Sequence, residues 1–256
     1  MRCLREIAGE YSTQLEMEEF DVRGKNELPD HRFDIYLSSG GPGNPTDTNN
    51  AWIKEYHALI DHLWQHNLEN QLPRKYAFFI CHSFQLVTNY FNLGEVTRRK
   101  RTSFGIYPIH KTKAGKNDIL LDGLPDPYYA VDNRDWQLVQ PNLDVFEEHG
   151  AKILSIEKIR TNVEMERAIM AVRFSDEFVG TQYHPEADAA GMKTHFMKQE
   201  NREKVIKNFG EEKYNNMIDH LDDPDKIELT HRMVIPSFLE RALSRLNNQA
   251  KETSAA

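Results

Sequence analysis

Apolar and polar residues alternate along the chain with two different periods, and each period predicts one type of element. Over residues 51–68 apolar side chains recur every three or four positions, which predicts a strongly amphipathic helix. The same spacing over residues 2–17 predicts that the chain opens inside a helix. Residues 16–22 instead alternate polar and apolar side chains, which predicts a strand.

Short apolar runs predict the strands of a sheet. The run Tyr76–Ile80 is apolar throughout, as is typical of a strand covered on both faces. Other strands are predicted at Phe33–Leu37, Leu93–Val96, Gly105–Ile109, Tyr128–Val131, Trp136–Val139, Lys152–Ile156, Ala168–Val172 and Glu177–Tyr183. Early alternation of strands and helices, followed by a meander of strands, favours a mostly parallel sheet with an antiparallel extension.

The C-terminal quarter of the chain is predicted to be helical. Residues 193–219 form a charged helical stretch, and Pro236 suits the first position of a second helix. Apolar residues of this second helix form one stripe, which we interpret as core packing rather than a partner surface. The stripe comprises Ile235, Phe238, Leu239, Ala242, Leu243 and Leu246.

Composition narrows the class of protein. A chain of 256 residues can form one sizeable α/β domain, or one domain with an appendage. A net charge of −8 argues against general nucleic-acid binding, and we interpret the basic run 98–101 as a solvated hairpin edge. The two cysteines fit a reducing compartment, and neither a signal peptide nor a membrane span is predicted, so cytoplasm is the expected location.

One cysteine stands between a predicted strand and a predicted helix. Cys81 follows the run Tyr76–Ile80, and helical spacing begins directly after it. At a helix N-terminus, unpaired backbone N–H groups and the helix dipole favour a thiolate and can also hold an oxyanion. The pattern indicates a nucleophile elbow, although a small buried cysteine fits the same pattern.

Two further motifs complete a possible catalytic set. Ser38–Pro45 contains three glycines, so its backbone N–H groups can approach a ligand closely, although a tight turn fits the loop too. His184 and Glu186 follow the last strand candidate, and the glutamate can orient an imidazole that accepts a proton from a thiol. Nucleophile, oxyanion donors, base and orienting carboxylate are the parts that cysteine-dependent acyl transfer requires.

These three segments resemble a known family. The stretches Leu37–Pro45, Ile80–Gln85 and Gly180–Glu186 look like the three signature motifs of class I (triad) glutamine amidotransferases, in the same order and at similar spacing. The resemblance covers about residues 1–190 and implies a flavodoxin-like, mostly parallel sheet flanked by helices. Residues 191–256 would then be a helical extension packed on or beside that domain.

The resemblance also implies a reaction. Cys81 would attack the side-chain amide of glutamine to form a γ-glutamyl thioester, with His184 as general base and acid and Glu186 as its orienting carboxylate. Ammonia would pass to a synthetase subunit, and the reaction would need no cofactor. Substrate and oxyanion contacts are expected from Gly41, Gly43, His82, Gln85 and Asp135.

Several departures from the family pattern stand beside these expectations. Phe79 and Ser83 occupy elbow positions where the family usually has glycine, so we expect a reshaped elbow. Residues 132–135 keep only Asp135 of the segment Ser-His-Gly-Asp that is common near the glutamine. The family's first strand has no counterpart before the opening helix, so a start upstream of Met1 is expected.

Two alternatives to the glutaminase remain open. Homoserine acyltransferases are similar in having an Ile-Cys elbow and a His-Pro-Glu followed closely by an aspartate, here Asp188. A non-catalytic binding module on the same fold is the other. A metal site is not expected, because the histidines and aspartates do not fall at ligand spacing on one helical face.

Overall fold

A computed structural model describes residues 15–47, 49–158 and 166–255 of the chain. Within these residues, strands form one sheet with helices on both faces, so the protein has α/β architecture. The strands are β1 (Ile35–Ser38), β2 (Tyr76–Ile80), β3 (Glu95–Lys111), β4 (Tyr128–Val139), β5 (Lys152–Glu157), β6 (Ile169–Arg173) and β7 (Phe178–Thr181). The helices are α1 (Ala51–Leu68), α2 (His82–Tyr90), α3 (Lys113–Lys116), α4 (Leu143–Glu148), α5 (Ala189–Met197), α6 (Gln199–Phe209), α7 (Glu211–Asp222) and α8 (Leu229–Ala255).

The sheet is mixed, which corrects the prediction of a mostly parallel sheet. Its strand order is β1-β2-β7-β6-β4-β3-β5, with a further pairing between β6 and β5. Only β1, β2 and β7 pair in parallel among the described strands, and every other pairing is antiparallel. For β6 and β7 the physical reason lies in the connection: residues 174–177 are too few for a crossover, whereas parallel neighbours need a crossover of a dozen or more residues, such as the one that contains α1 between β1 and β2.

Each face of the sheet has its own apolar core. On one face, α1 and α2 cover side chains such as Phe79 and Phe178. On the other face, α8 covers Phe78, with the rings of Phe78 and Phe238 5.2 Å apart in an edge-to-face arrangement. The consecutive phenylalanines of β2 therefore point to opposite cores, which explains why the whole strand is apolar.

The C-terminal helices pack on two different parts of the sheet. Helices α5, α6 and α7 cover the β3–β4 hairpin, where the rings of Phe104 and Phe209 stack at 4.5 Å. Five residues of the predicted stripe of α8 pack in the core: Ile235, Phe238, Leu239, Ala242 and Leu246. The predicted start of that helix at Pro236 is wrong: α8 begins at Leu229 and contains Pro236, because Val234 and Ile235 already pack against the sheet.

Other local predictions were corrected by strand pairing. The four short strands predicted within residues 93–139 are two long ones, β3 and β4, paired along most of their length with a shift in register between Arg98 and Ser103. Residues 16–22 form no strand. The predicted helix at 2–17 lies outside the described residues except for its last three, which are not helical. The division into domains at residue 190 stays a prediction.

In the three described ranges, no helix is both long and apolar enough to cross a bilayer.

Candidate active site

Cys81 occupies a sharp turn between β2 and α2. Its backbone has φ +52° and ψ −102°, a left-handed conformation that is uncommon outside glycine. The Cys81 N–H donates to the carbonyl of Thr181 at 2.8 Å, which fixes the residue at the end of the parallel strands β2 and β7. Such a strained residue persists only where its surroundings hold it, and active sites are a common location for it. The strand–turn–helix geometry expected of a nucleophile elbow is therefore present.

Phe79 and Ser83 fit this turn without glycine. The Phe79 ring points into the apolar core, where it lies 5.8 Å from the rings of Phe174 and Phe178. The Ser83 hydroxyl accepts a hydrogen bond from the Ile80 N–H at 2.8 Å and lies 2.6 Å from the Ser38 carbonyl, to which it donates. Ser83 thus joins the elbow to the start of the glycine loop, which glycine at this position could not do.

The glycine loop passes directly over the cysteine. A Cβ atom on Gly40 would lie 3.0 Å from the Cβ of Cys81 and 3.1 Å from Cε1 of His184. Only glycine at position 40 therefore lets the loop pass this close to both Cys81 and His184. Gly41 follows immediately, and Gly43 has φ +137°, which also favours glycine.

His184 and Glu186 form a close pair beyond the end of β7. The His184 Nδ1 lies 2.7 Å from Oε1 of Glu186, and the His184 backbone N–H donates to Val131 at 2.9 Å. Burial by itself would lower the pKa of His184, but hydrogen bonds to Cys81 and Glu186 and the charges of both groups outweigh it and raise the pKa to about 11. Because Glu186 occupies Nδ1, Nε2 is the nitrogen left for the sulfur.

Two groups that the sequence analysis did not single out also face the sulfur. The Cys81 Sγ lies 3.9 Å from the main-chain carbonyl of Asn133 and 3.8 Å from Nε2 of Gln182. Gln182 precedes His184 by two residues, and this closeness in sequence is the signal that could have indicated it. A main-chain contact such as that of Asn133 has no sequence signal.

Gln85 and Asp135, both expected at the substrate, have protein partners. The Gln85 Nε2 donates to the Trp136 carbonyl at 3.2 Å and to Oε1 of Gln182 at 3.0 Å. Asp135 is exposed, and its carboxylate accepts a hydrogen bond from the Thr102 hydroxyl at 2.5 Å. Asp188, which the acyltransferase resemblance singles out, accepts from the Gly191 N–H at 2.6 Å and caps α5.

A buried ion pair supports the strand beside Cys81. The Arg134 Nε lies 2.8 Å from the Asp132 carboxylate, and the two side chains are 1% and 3% exposed. Ser103 donates to the same carboxylate at 2.7 Å, and Arg134 Nη1 donates to the Trp136 carbonyl at 3.1 Å. These contacts fix the β4 backbone on both sides of Asn133.

A polar cavity of about 570 Å³ opens on the outer side of the glycine loop. Arg23 lines it, donates to the Pro42 carbonyl and lies 5.4 Å from the centre of the Trp52 ring. The His82 ring also lines the cavity, and burial, followed by the charge of Arg23, lowers the pKa of His82 to about 4. His82 is therefore neutral at pH 7, and its backbone N–H lies at the start of α2.

The described part of the chain contains no cluster of three or more histidine, cysteine or carboxylate side chains suited to a metal ion.

Comparison with protein families gives one match over most of the chain. The family described as glutamine amidotransferase class-I matches residues 2–204. No curated protein sequence matches at a significant level.

Solved structures resemble the protein over most of its length. A glutamine amidotransferase from Thermotoga maritima has a TM-score of 0.67 at 17% identity, covering 93% of this chain and 90% of its own. A glutamine amido transferase from Methylobacillus flagellatus has a TM-score of 0.59 at 14% identity, covering 96% and 88%. The glutaminase domain of Trypanosoma brucei CTPS, with bound acivicin, has a TM-score of 0.53 at 13% identity, covering 72% and 78%. At these identities the likeness concerns the fold.

Proposed function

The chain belongs to the class-I glutamine amidotransferase family, and on this basis we propose that it hydrolyses the side-chain amide of glutamine through a thioester on Cys81. The observation that carries the proposal is the convergence of three groups on one point. Gly40 approaches both Cys81 and His184, and His184 pairs with Glu186 at 2.7 Å. Nucleophile, base and orienting carboxylate are thus in the order that acyl transfer requires.

The first half of the reaction forms the thioester. The Cys81 thiolate attacks the amide carbon, and the oxyanion accepts hydrogen bonds from the backbone N–H groups of Gly41 and His82. The His184 imidazolium then gives its proton to the amide nitrogen, the C–N bond breaks, and ammonia leaves. A high pKa of His184 keeps this proton available at neutral pH.

The second half returns the enzyme to its starting state. The imidazole of His184, now neutral, accepts a proton from water as the water oxygen attacks the thioester carbon. The C–S bond breaks, glutamate leaves, and the thiolate and imidazolium are restored. The balance is one glutamine and one water for one glutamate and one ammonia. Glu186 stabilises the imidazolium that exists before the first half and after the second.

We further propose that the released ammonia serves a synthetase partner. The Trypanosoma brucei structure, which has a similar fold, is by its name the glutaminase domain of a larger protein, CTPS. Gly43 and Asp135 are proposed to border the glutamine, Gly43 through its backbone and Asp135 from the exposed side of β4.

A covalent probe tests the proposal without requiring the partner. Acivicin, which is bound to the Trypanosoma brucei domain, should react with Cys81 and be excluded by glutamine. Peptide mass spectrometry after reaction should find the adduct on Cys81 in the parent protein and no adduct in Cys81→Ala. Labelling that glutamine does not slow would contradict a glutamine site and favour an acyltransferase with a different substrate.

A further inference from the structure

The side chain of Gln182 is a fixed, buried group beside the reactive sulfur. Gln182 is fully buried, and its backbone N–H donates to the Met170 carbonyl at 2.8 Å. Its Nε2 lies 3.8 Å from the Cys81 Sγ, within hydrogen-bonding distance for sulfur. The contact is made inside the protein, so water does not compete for it.

The surrounding hydrogen bonds determine which end of the Gln182 amide faces the sulfur. The Trp136 carbonyl can only accept, so the Gln85 atom 3.2 Å from it is the donor Nε2. That same Nε2 lies 3.0 Å from Gln182, so the Gln182 atom facing it is the acceptor Oε1. The remaining end of the Gln182 amide, its NH₂ group, therefore points to Cys81.

One short segment after β7 brings two donors to one sulfur. Gln182 lies 3.8 Å from the sulfur through Nε2, and His184 is hydrogen-bonded to Cys81 from the same segment. Tyr183, between them, has its hydroxyl 3.1 Å from that of Tyr128 instead. One short segment thus presents an imidazolium and a neutral amide to the same atom.

We propose that Gln182 is a further catalytic residue, which donates a hydrogen bond from Nε2 to the Cys81 thiolate. Gln85 is then a positioning residue that prevents the Gln182 amide from turning its oxygen to the sulfur. This rests on the proposed function, in which the sulfur is the nucleophile. Hydrogen bonds to ionised groups are stronger than those between neutral groups, so the thiolate gains from the contact more than the thiol does.

Alkylation of the sulfur tests the proposal without glutamine. In a Cys3→Ser background Cys81 is the one remaining cysteine, and its reaction rate with iodoacetamide is measured against pH. We expect Gln182→Leu to lower the rate near neutral pH by about tenfold to a hundredfold, the worth of a hydrogen bond to a charged group. Gln182→Glu keeps the shape but places a carboxylate at the sulfur, and should lower the rate further.

Two other variants separate this role from a structural one. Tyr183→Phe removes a buried hydroxyl from the same segment that contacts Tyr128 instead of the sulfur, and should keep the parent pH profile of alkylation. The alkylation rate of Gln85→Leu should fall between those of Gln182→Leu and the parent, because the Gln182 amide then has two orientations. With glutamine as substrate, Gln85→Leu should lower kcat by a larger factor than it raises KM, as expected for a residue that acts through Gln182.

An unchanged alkylation profile in folded Gln182→Leu would overturn the proposal. If that variant does not fold, an unchanged profile in the isosteric Gln182→Glu would overturn it equally. Ammonia release from glutamine is measured on the same proteins. If the Gln182 variants change the alkylation profile but the parent does not hydrolyse glutamine, the contact between Gln182 and Cys81 is supported and the proposed function is refuted. If the parent hydrolyses glutamine but the variants leave the alkylation profile unchanged, the proposed function is supported and the role of Gln182 is refuted.

Discussion

His184 Nδ1 lies 2.7 Å from Oε1 of Glu186, and the second imidazole nitrogen is left for the sulfur of Cys81. Although burial opposes a charged imidazole, the pKa of His184 is raised to about 11 by its hydrogen bonds to Cys81 and Glu186 and by their charges. The imidazolium is therefore the resting form of His184 over the whole physiological range. Glu186 thus orients the ring, and Glu186 and Cys81 together hold its proton.

Glu186→Gln should move the alkaline loss of activity to lower pH. The substitution removes a negative charge beside His184 and so lowers the His184 pKa from about 11. Because the imidazolium is the acid that we propose for the leaving nitrogen, kcat/KM for glutamine should then decline at lower pH than in the parent. A pH profile of kcat/KM measures the shift. Identical alkaline limbs in the two proteins would rule out Glu186 as the group that holds this proton.

Acid should destabilise the protein partly through His82. Burial, then the charge of Arg23, lowers the pKa of folded His82 to about 4, so between that value and the ordinary 6.5 the unfolded chain binds a proton that the folded chain does not. Lowering the pH from about 7 to about 5 should cost about 2 kcal/mol at this residue. The free energy of unfolding, measured by guanidinium denaturation at both pH values, should fall less on acidification for His82→Asn than for the parent. Equal losses would mean that His82 is not held neutral by its surroundings.

Gly40→Ala should remove activity while the fold remains. Its Cβ would lie 3.0 Å from Cys81 and 3.1 Å from His184, so either the loop or the pair must move. As a control, Gly150→Ala adds a Cβ with nothing within 4 Å at a φ of +65°, and should cost only backbone strain of about 1 kcal/mol. Ammonia release and thermal unfolding are compared. A Gly40→Ala protein as active as the parent would refute the close approach of the loop.

Arg134→Met should destabilise the protein strongly. The Asp132 carboxylate, 3% exposed, would remain buried without its cation. Breaking a buried pair in this way typically costs about 3–5 kcal/mol, whereas replacing both partners costs much less. The free energy of unfolding of Arg134→Met, measured by urea denaturation, should therefore be lower than that of the double variant Asp132→Leu/Arg134→Met. A less stable double variant would argue against an unpaired charge as the cause.

Elements whose hydrophobic pattern reflects their own burial could be predicted from the sequence. The helix at 51–68 and the strand Tyr76–Ile80 have the predicted bounds, because each buries a complete face or both faces. The long strand Glu95–Lys111 could not be recognised, since its register with β4 shifts between Arg98 and Ser103 and the exposed Arg98, Lys100 and Arg101 interrupt the apolar pattern.

The chemistry of the site divides in a similar way. The sequence predicted that Cys81, His184 and the glycine loop Ser38–Pro45 would form one site, because each follows a predicted strand. The side-chain network of Gln85 and Gln182 could not be predicted, because buried amide contacts depend on the packing of three separate segments. The accommodation of Phe79 likewise depends on rings from β7 and the residue that follows β6.

Release of ammonia and glutamate from glutamine by the purified protein tests whether Cys81 is the nucleophile of a glutaminase. We expect equal amounts of the two products, abolished in Cys81→Ala, and a γ-glutamyl adduct on Cys81 trapped by acid quench. Product formation that persists in Cys81→Ala, or a folded parent protein that neither forms the adduct nor releases ammonia at any glutamine concentration, would contradict it.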